Sequence, residues 1–277
     1  MERNVLQPVT GNPAVDGAGV RLVRVLGRET TKSFDPFLML DAFDSSNPDD
    51  YIKGFPWHPH RGIETVTYLI QGAIEHQDSL GNKGMILPGG CQWMTAGSGI
   101  LHQEMPQASP RMLGLQLWLN LPARGKMTAP KYRDIKVADI PVINIDHGVI
   151  RVVASSDKAL PGAASGDFVP LTLLDITLEP GAGFTRKAGK ADTVFAYIFE
   201  GGGIFGGSRQ PYGARHALLT GEGDSFSITA GENGMRLVLC ESEALGEPIA
   251  WGGPIVMNTR EELSRAFEEL EEGTFIK

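Results

Sequence analysis

Short apolar runs, many alternating with polar residues and bounded by glycine, proline or acids, recur along this chain. Alternation at period two marks a strand with one buried face, whereas a helix needs apolar positions at three- and four-residue intervals. Val20 to Val25 alternates and is rich in valine. Asp35-Pro-Phe-Leu-Met-Leu-Asp41 is an apolar run closed by acids at both ends. Ile63 to Ile70, with Thr65, Val66, Thr67 and Tyr68, has the strongest strand composition and stops at Gln71 and Gly72. Ala73 to Gln77 reads as the next strand, with Asp78-Ser-Leu-Gly-Asn-Lys83 as a hairpin turn. Gly114 to Leu121 alternates again and places Leu115, Leu117, Leu119 and Leu121 on one apolar face.

The pattern divides the chain into a strand-rich block at 1–125, a connector at 126–141 and a second strand-rich block at 142–277. Pro130 and Pro141 punctuate the connector. In the second block Val149 to Ala154, Leu171 to Leu178, Thr193 to Phe199 and Met235 to Cys240 read as strands. Leu174, Ile176 and Leu178 share a face. Glu179-Pro-Gly181 and Thr220-Gly-Glu-Gly-Asp224 read as turns. The two blocks have the look of distant repeats, since Gly72 follows Thr65 to Ile70 as Gly201-Gly-Gly203 follows Val194 to Phe199. One helix is expected, at the C-terminus. Thr259-x-x-Glu262 fits a capping box, and Leu263, Ala266, Phe267 and Leu270 have the spacing of one buried face. Its expected role is structural, packed on a barrel. The whole is an all-β protein with a short C-terminal helix.

Composition narrows the function classes. The 277 residues carry a net charge of −8 and show no strong basic cluster, which argues against direct nucleic-acid binding. The two cysteines, Cys91 and Cys240, stand far apart, so no disulfide framework is expected and a cytoplasmic location fits. The first residues lack the apolar stretch of a signal peptide, and no run approaches the length that spans a bilayer.

The chemistry concentrates in two segments. Phe55-Pro-Trp-His-Pro-His-Arg-Gly-Ile-Glu64 carries His58 and His60, and Gly97-Ser-Gly-Ile-Leu-His-Gln-Glu-Met-Pro106 carries His102 and Glu104. Residues i and i+2 of a strand face the same side. Two such strands would aim three imidazoles and a carboxylate at one point, a donor set suited to non-haem iron or to another divalent first-row metal. Parity leaves the carboxylate open: Glu64 matches His60, and Glu104 matches His102. Trp57, Trp93 and Met105 are candidate cavity walls. His76 reads as a polar rim residue, His147 and His216 as isolated surface or hydrogen-bonded residues, and Cys91 as a buried thiol.

These segments resemble the pirin family of the cupin superfamily. The resemblance rests on His-Pro-His-Arg-Gly-Ile-Glu-Thr-Val at 58–66, Gln-Trp-Met-Thr-Ala-Gly at 92–97 and Gly-Ile-Leu-His-Gln-Glu-Met-Pro at 99–106. It extends to Asp-Pro-Phe-Leu-Met-Leu-Asp at 35–41, Gly246-Glu-Pro248 and Gly253-Pro-Ile-Val-Met-Asn-Thr259. It implies a bicupin, two antiparallel β-barrels of the double-stranded β-helix or jelly-roll kind, with one iron per chain, held in the N-terminal barrel only. It implies His58, His60, His102 and Glu104 as the ligands, Glu104 also as catalytic base, and Glu64 as a supporting neighbour. Ser98 and Gly90 depart from the family pattern, where Arg and Asp are common. The resemblance further implies an oxidoreductase of the quercetin 2,3-dioxygenase type acting on flavonols or related aromatic phenolics. The alternative it implies is an iron-dependent redox sensor that binds a protein partner, either a transcription factor or a metabolic enzyme. No membrane or direct nucleic-acid partner is expected.

Overall fold

The computed structural model describes every residue except Lys190, Ala191 and Arg209. The strands pair antiparallel throughout their sheets, and the one α-helix among the described residues is Arg260–Glu271. No described helix is long and apolar enough to cross a membrane. The chain divides into two compact units that are not contiguous in sequence. The first comprises Asn12–Thr31, Phe37–Val137 and Leu245–Lys277, and the second Met1–Gly11, Lys32–Pro36 and Ala138–Ala244. This division differs from the contiguous blocks expected from the sequence, because strand pairing ignores chain order. Val5–Thr10 pairs with His216–Thr220 in the second unit. The expected connector also contains a strand, Lys131–Ile135, paired with Cys91–Thr95.

In the first unit a seven-stranded sheet runs in the order Lys131–Ile135, Cys91–Thr95, Ile63–Gln71, Met112–Asn120, Phe37–Ser45, Val20–Leu26, Asn12–Asp16. A four-stranded sheet runs Phe55–His60, Ile100–Gln107, Ala73–Asp78, Lys83–Ile86. Ile63–Gln71 is buried on both faces except at Gln71, which explains its unbroken β-branched and aromatic composition. Leu115, Leu117, Leu119 and Leu121 are fully buried, as the alternation predicts. The turn at 78–83 closes on Asp78, whose Oδ1 accepts from the backbone N–H groups of Leu80 and Asn82.

The helix begins with the expected capping box, Thr259 accepting from the Glu262 N–H and Glu262 reaching back to the Thr259 N–H. Its packing is narrower than expected. Ala266 is buried and Leu263 and Leu270 are partly so, against Ile255, Met257 and Phe275, while Phe267 is 36% exposed. Its neighbours are the short Ala250–Gly252 and Ile255–Met257 strands, not the broad face of a barrel.

The second unit is one nine-stranded sheet folded around Val152, Leu174, Ile176, Ile198, Leu218, Phe226, Leu237 and Leu239. Thr193–Phe205 and Ser225–Ser242 are longer than the sequence pattern indicates. Register shifts at Ile198/Glu200 and Gly201/Gly203 carry the first of them through its glycine run, which is a bulged bend within a strand.

Candidate metal centre

His58 and His60 lie on Phe55–His60, an edge strand, and edge position is what tolerates Pro56 and Pro59. His102 lies on the neighbouring Ile100–Gln107 strand, directly opposite His58. The register shifts immediately afterwards, so that Glu104 faces Phe55. The extra residue lies in the Phe55–His60 strand, whereas Ile100–Gln107 keeps an unbroken register with Ala73–Asp78, so Glu104 stays on the buried face of His102. The turn behind His60 requires Gly62, which has φ of 77° and leaves no room for a Cβ beside the Val256 carbonyl.

The three histidines converge. Their candidate ligand atoms all lie within 4.8 Å of one another. The Nδ1 of His58 lies 2.8 Å from the Pro56 carbonyl, and that of His60 lies 3.0 Å from the Pro254 carbonyl. A carbonyl only accepts, so both Nδ1 atoms carry the proton and both Nε2 atoms present a lone pair. Those Nε2 atoms stand 3.1 Å apart. His102 is fully buried, and neither of its ring nitrogens has a hydrogen-bond partner among the described residues. Burial, reinforced by neighbouring histidines, lowers the pKa of His60 to about 3 and pushes that of His102 well below the ordinary value. The result is a nest of converging imidazole nitrogens in which burial keeps His60 and His102 neutral. A divalent cation fits it, and the carbonyl bonds at Nδ1 are the supports that metal-bound imidazoles ordinarily use.

Glu104 is buried beside this cluster, and its carboxylate is held by other side chains. Gln116 Nε2 donates to Oε1 at 3.0 Å and to Oε2 at 2.8 Å, and Thr67 Oγ1 donates to Oε1 at 3.2 Å. The Trp118 indole N–H donates to Gln116 Oε1 at 3.1 Å. An indole N–H can only donate, so it fixes the amide with its oxygen toward Trp118 and its nitrogen toward Glu104. Glu64 is fully buried and accepts from Thr95 Oγ1 at 2.6 Å.

Beneath the histidine strand, Arg61 is 2% exposed. Its guanidinium donates to the carbonyls of Ser98 and Phe275 and pairs with Glu269 at 2.7 Å. Buried Lys126 donates to the carbonyls of Gly62 and Val256 and to Asn120 Oδ1, and burial lowers its pKa to about 7. Lys126 thus ties the segment that supplies Pro254 to the turn that follows His60, and Arg61 ties the same turn to the C-terminal residues Glu269 and Phe275.

A cavity of about 750 Å³ opens beside His58, His60 and Glu104. Trp57 lines it, as expected from the sequence, but the other tryptophan walls are Trp118 and Trp251. Trp93 is instead sealed in the core beneath the Arg133 guanidinium, 4.4 Å from its ring. Met105, one residue from Glu104, has the opposite parity and packs toward Gly54. His76 is not a rim residue. It is fully buried, stacked 4.7 Å from Tyr132, with the tilted His102 ring 5.3 Å away and Nε2 at 3.3 Å from Asp78. His147 is exposed beside Glu179, and His216 meets backbone carbonyls, in keeping with their isolation in sequence. Cys91 is buried, and burial pushes its thiol pKa far up. Gln116 and Trp118 were missed, although a signal existed: they occupy the polar parity of a strand whose other parity is all leucine. Trp251 comes from a remote segment and gave none.

The pirin family model matches residues 19–119, and the model of the pirin C-terminal cupin domain matches residues 173–276. A pirin-like protein of Caulobacter vibrioides is 43% identical over 99% of both chains. A Pseudomonas aeruginosa protein named "Putative quercetin 2,3-dioxygenase" is 44% identical over 98% of this chain and 97% of its own. The crystal structure of quercetin 2,3-dioxygenase from Acinetobacter baumannii superposes with a TM-score of 0.90, 32% identity and 99% coverage of both chains. With two strand-rich units and matches along nearly its whole length, this chain is a bicupin and belongs to the pirin family.

Proposed function

We propose that this chain is an iron-dependent dioxygenase of the quercetin 2,3-dioxygenase type, with His58, His60, His102 and Glu104 as the metal ligands. The observation that carries the reading is the convergence of imidazole lone pairs, two of them fixed by carbonyl-bound Nδ1 protons and the third on an unpartnered His102. The names of the Pseudomonas and Acinetobacter relatives support the substrate class. Iron held there would supply a Lewis-acidic, redox-active centre for the reaction of a flavonol with dioxygen.

The chain's own part begins with binding. Trp57, Trp118, Trp251 and Met39 offer apolar faces to a flat aromatic ligand, at the end of a cavity that reaches His58, His60 and Glu104. Glu104 takes the proton of the flavonol hydroxyl, since its carboxylate lines the same cavity as His58 and His60. Gln116 and Thr67 hold the carboxylate in place, so little reorganisation accompanies the transfer. Ring cleavage then takes up both oxygen atoms and yields a depside and carbon monoxide.

The test is dioxygen uptake by anaerobically iron-loaded protein on addition of quercetin, with metal-free protein as control. Metal-dependent uptake with stoichiometric carbon monoxide is expected. Firmly bound iron with no uptake above the control would overturn the reading.

A further inference from the structure

The cavity has a second polar end. Arg24 Nε and Nη2 donate to the two carboxylate oxygens of Asp41 at 2.9 and 2.7 Å, and Nη2 also donates to Asp16 Oδ2 at 2.7 Å. All three residues line the cavity that reaches the histidines. Asp41 is buried at the back of the array, whereas the Asp16 side chain is 48% exposed. The charge of Asp16 acts on both His58 and His60, so the two polar ends lie within electrostatic reach of one another.

The array is not saturated. A carboxylate offers about four lone-pair sites. Asp16 uses one on the Gly17 N–H, at 2.7 Å, and one on Arg24. Arg24 Nη1 has no acceptor among the described residues. Two carboxylates share one guanidinium, which leaves one negative charge uncompensated in the cavity lining. Arg28, whose guanidinium lies 5.4 Å from the Trp251 ring, and Glu29 also line the cavity and bring one charge of each sign. Such an end disfavours an anionic ligand and favours a neutral group rich in hydroxyl donors. A vicinal aromatic diol matches best, since its two parallel O–H groups can both be received by one carboxylate.

We propose that Asp16, oriented by Arg24, is a hydroxyl-recognising anchor for the distal ring of a planar phenol whose reacting end lies at the histidines. This rests on the flavonol reading above and narrows it: the preferred substrates carry a catechol on the ring remote from the metal. Asp16 is then a specificity residue, separate from the groups that serve the chemistry. The tryptophan walls supply affinity for any flat ring system, and Asp16 supplies the discrimination.

The test is calorimetric titration of anaerobic, iron-loaded protein with quercetin, which carries the catechol, and galangin, the flavonol that lacks hydroxyls on that ring. The wild-type protein should bind quercetin at least about tenfold more tightly, the scale of a charge-assisted hydrogen bond. In Asp16→Ala the ratio should fall toward one because quercetin weakens, and Asp16→Asn should give an intermediate ratio. Equal affinities in the wild type overturn the proposal while leaving the flavonol reading intact. A preference that survives in Asp16→Ala also overturns it, since the catechol is then held elsewhere. Failure of both flavonols to bind overturns this proposal and the flavonol reading together.

Discussion

The two units solve the same problem in opposite ways. In each, an antiparallel sheet carries polar side chains that burial would penalise. In the second unit the Gly183–Lys187 strand brings its own cation: Arg186 pairs with Glu241 at 3.1 Å and Asp157 at 3.4 Å, and the Gly189 N–H donates to Glu241. The polar interior is closed by the chain itself. In the first unit the Phe55–His60 strand brings His58 and His60 against His102, and no described side chain donates to the ring nitrogens of His102. An imidazole nest without a donor is an unfavourable way to build a core, and becomes favourable when an external cation completes it. The difference separates a structural interior from one prepared for a ligand.

The largest effect should come from removing the least satisfied histidine. His102→Ala should weaken metal binding by more than about 100-fold, beyond the range of supporting residues. Metal titration followed by calorimetry checks this, and metal-free stability should change far less than metal affinity. The counterpart in the second unit is Arg186→Met, which leaves Glu241 buried without its cation. It should destabilise the fold by about 3 kcal/mol while metal affinity is unchanged, read by denaturant melts beside the same titration. If Arg186→Met weakened metal binding as much as His102→Ala, the contrast between the units would fail.

Next in size is the support of Glu104. Trp118→Phe keeps the aromatic wall but releases the Gln116 amide, and Gln116→Leu removes the bonds to the carboxylate. Each should lower metal affinity by about 10- to 100-fold, Gln116→Leu the more. Unchanged affinity in both would remove Glu104 from the proposed ligand set.

The smallest effect is a pH slope. His60 and His102 have pKa values below the ordinary histidine range, His60 at about 3. Below pH 6.5 the unfolded chain takes up protons that the native chain refuses, so the metal-free protein should lose stability gradually as pH falls from 6.5 toward 3. At pH 7 both rings are already neutral, so metal loading should release no proton from either. Denaturant melts at several pH values and proton counting in differently buffered titrations check the two statements.

Much of this was legible in the sequence, and the rest was hidden for identifiable reasons. Ile63–Gln71 announces itself because both its faces are buried. The Thr259–Glu262 cap is a local device read from four residues. The two i, i+2 pairs are legible because strand geometry converts spacing directly into a shared face. The division into units was not, since nothing in periodicity says that Leu245–Lys277 completes the histidine unit. For the same reason Trp251, the Pro254 carbonyl behind His60, and the Arg61–Glu269 pair were invisible: each joins segments far apart in the chain. His76 was misjudged because its acidic neighbours read as solvent-facing, whereas Asp78 is occupied with its own turn.

The most direct test of the central claim is iron K-edge X-ray absorption on anaerobically iron-loaded protein, with His102→Ala alongside. The account predicts scattering from three imidazoles in the wild type and two in the variant. One imidazole or none in the wild type, or a spectrum unchanged in His102→Ala, would contradict it.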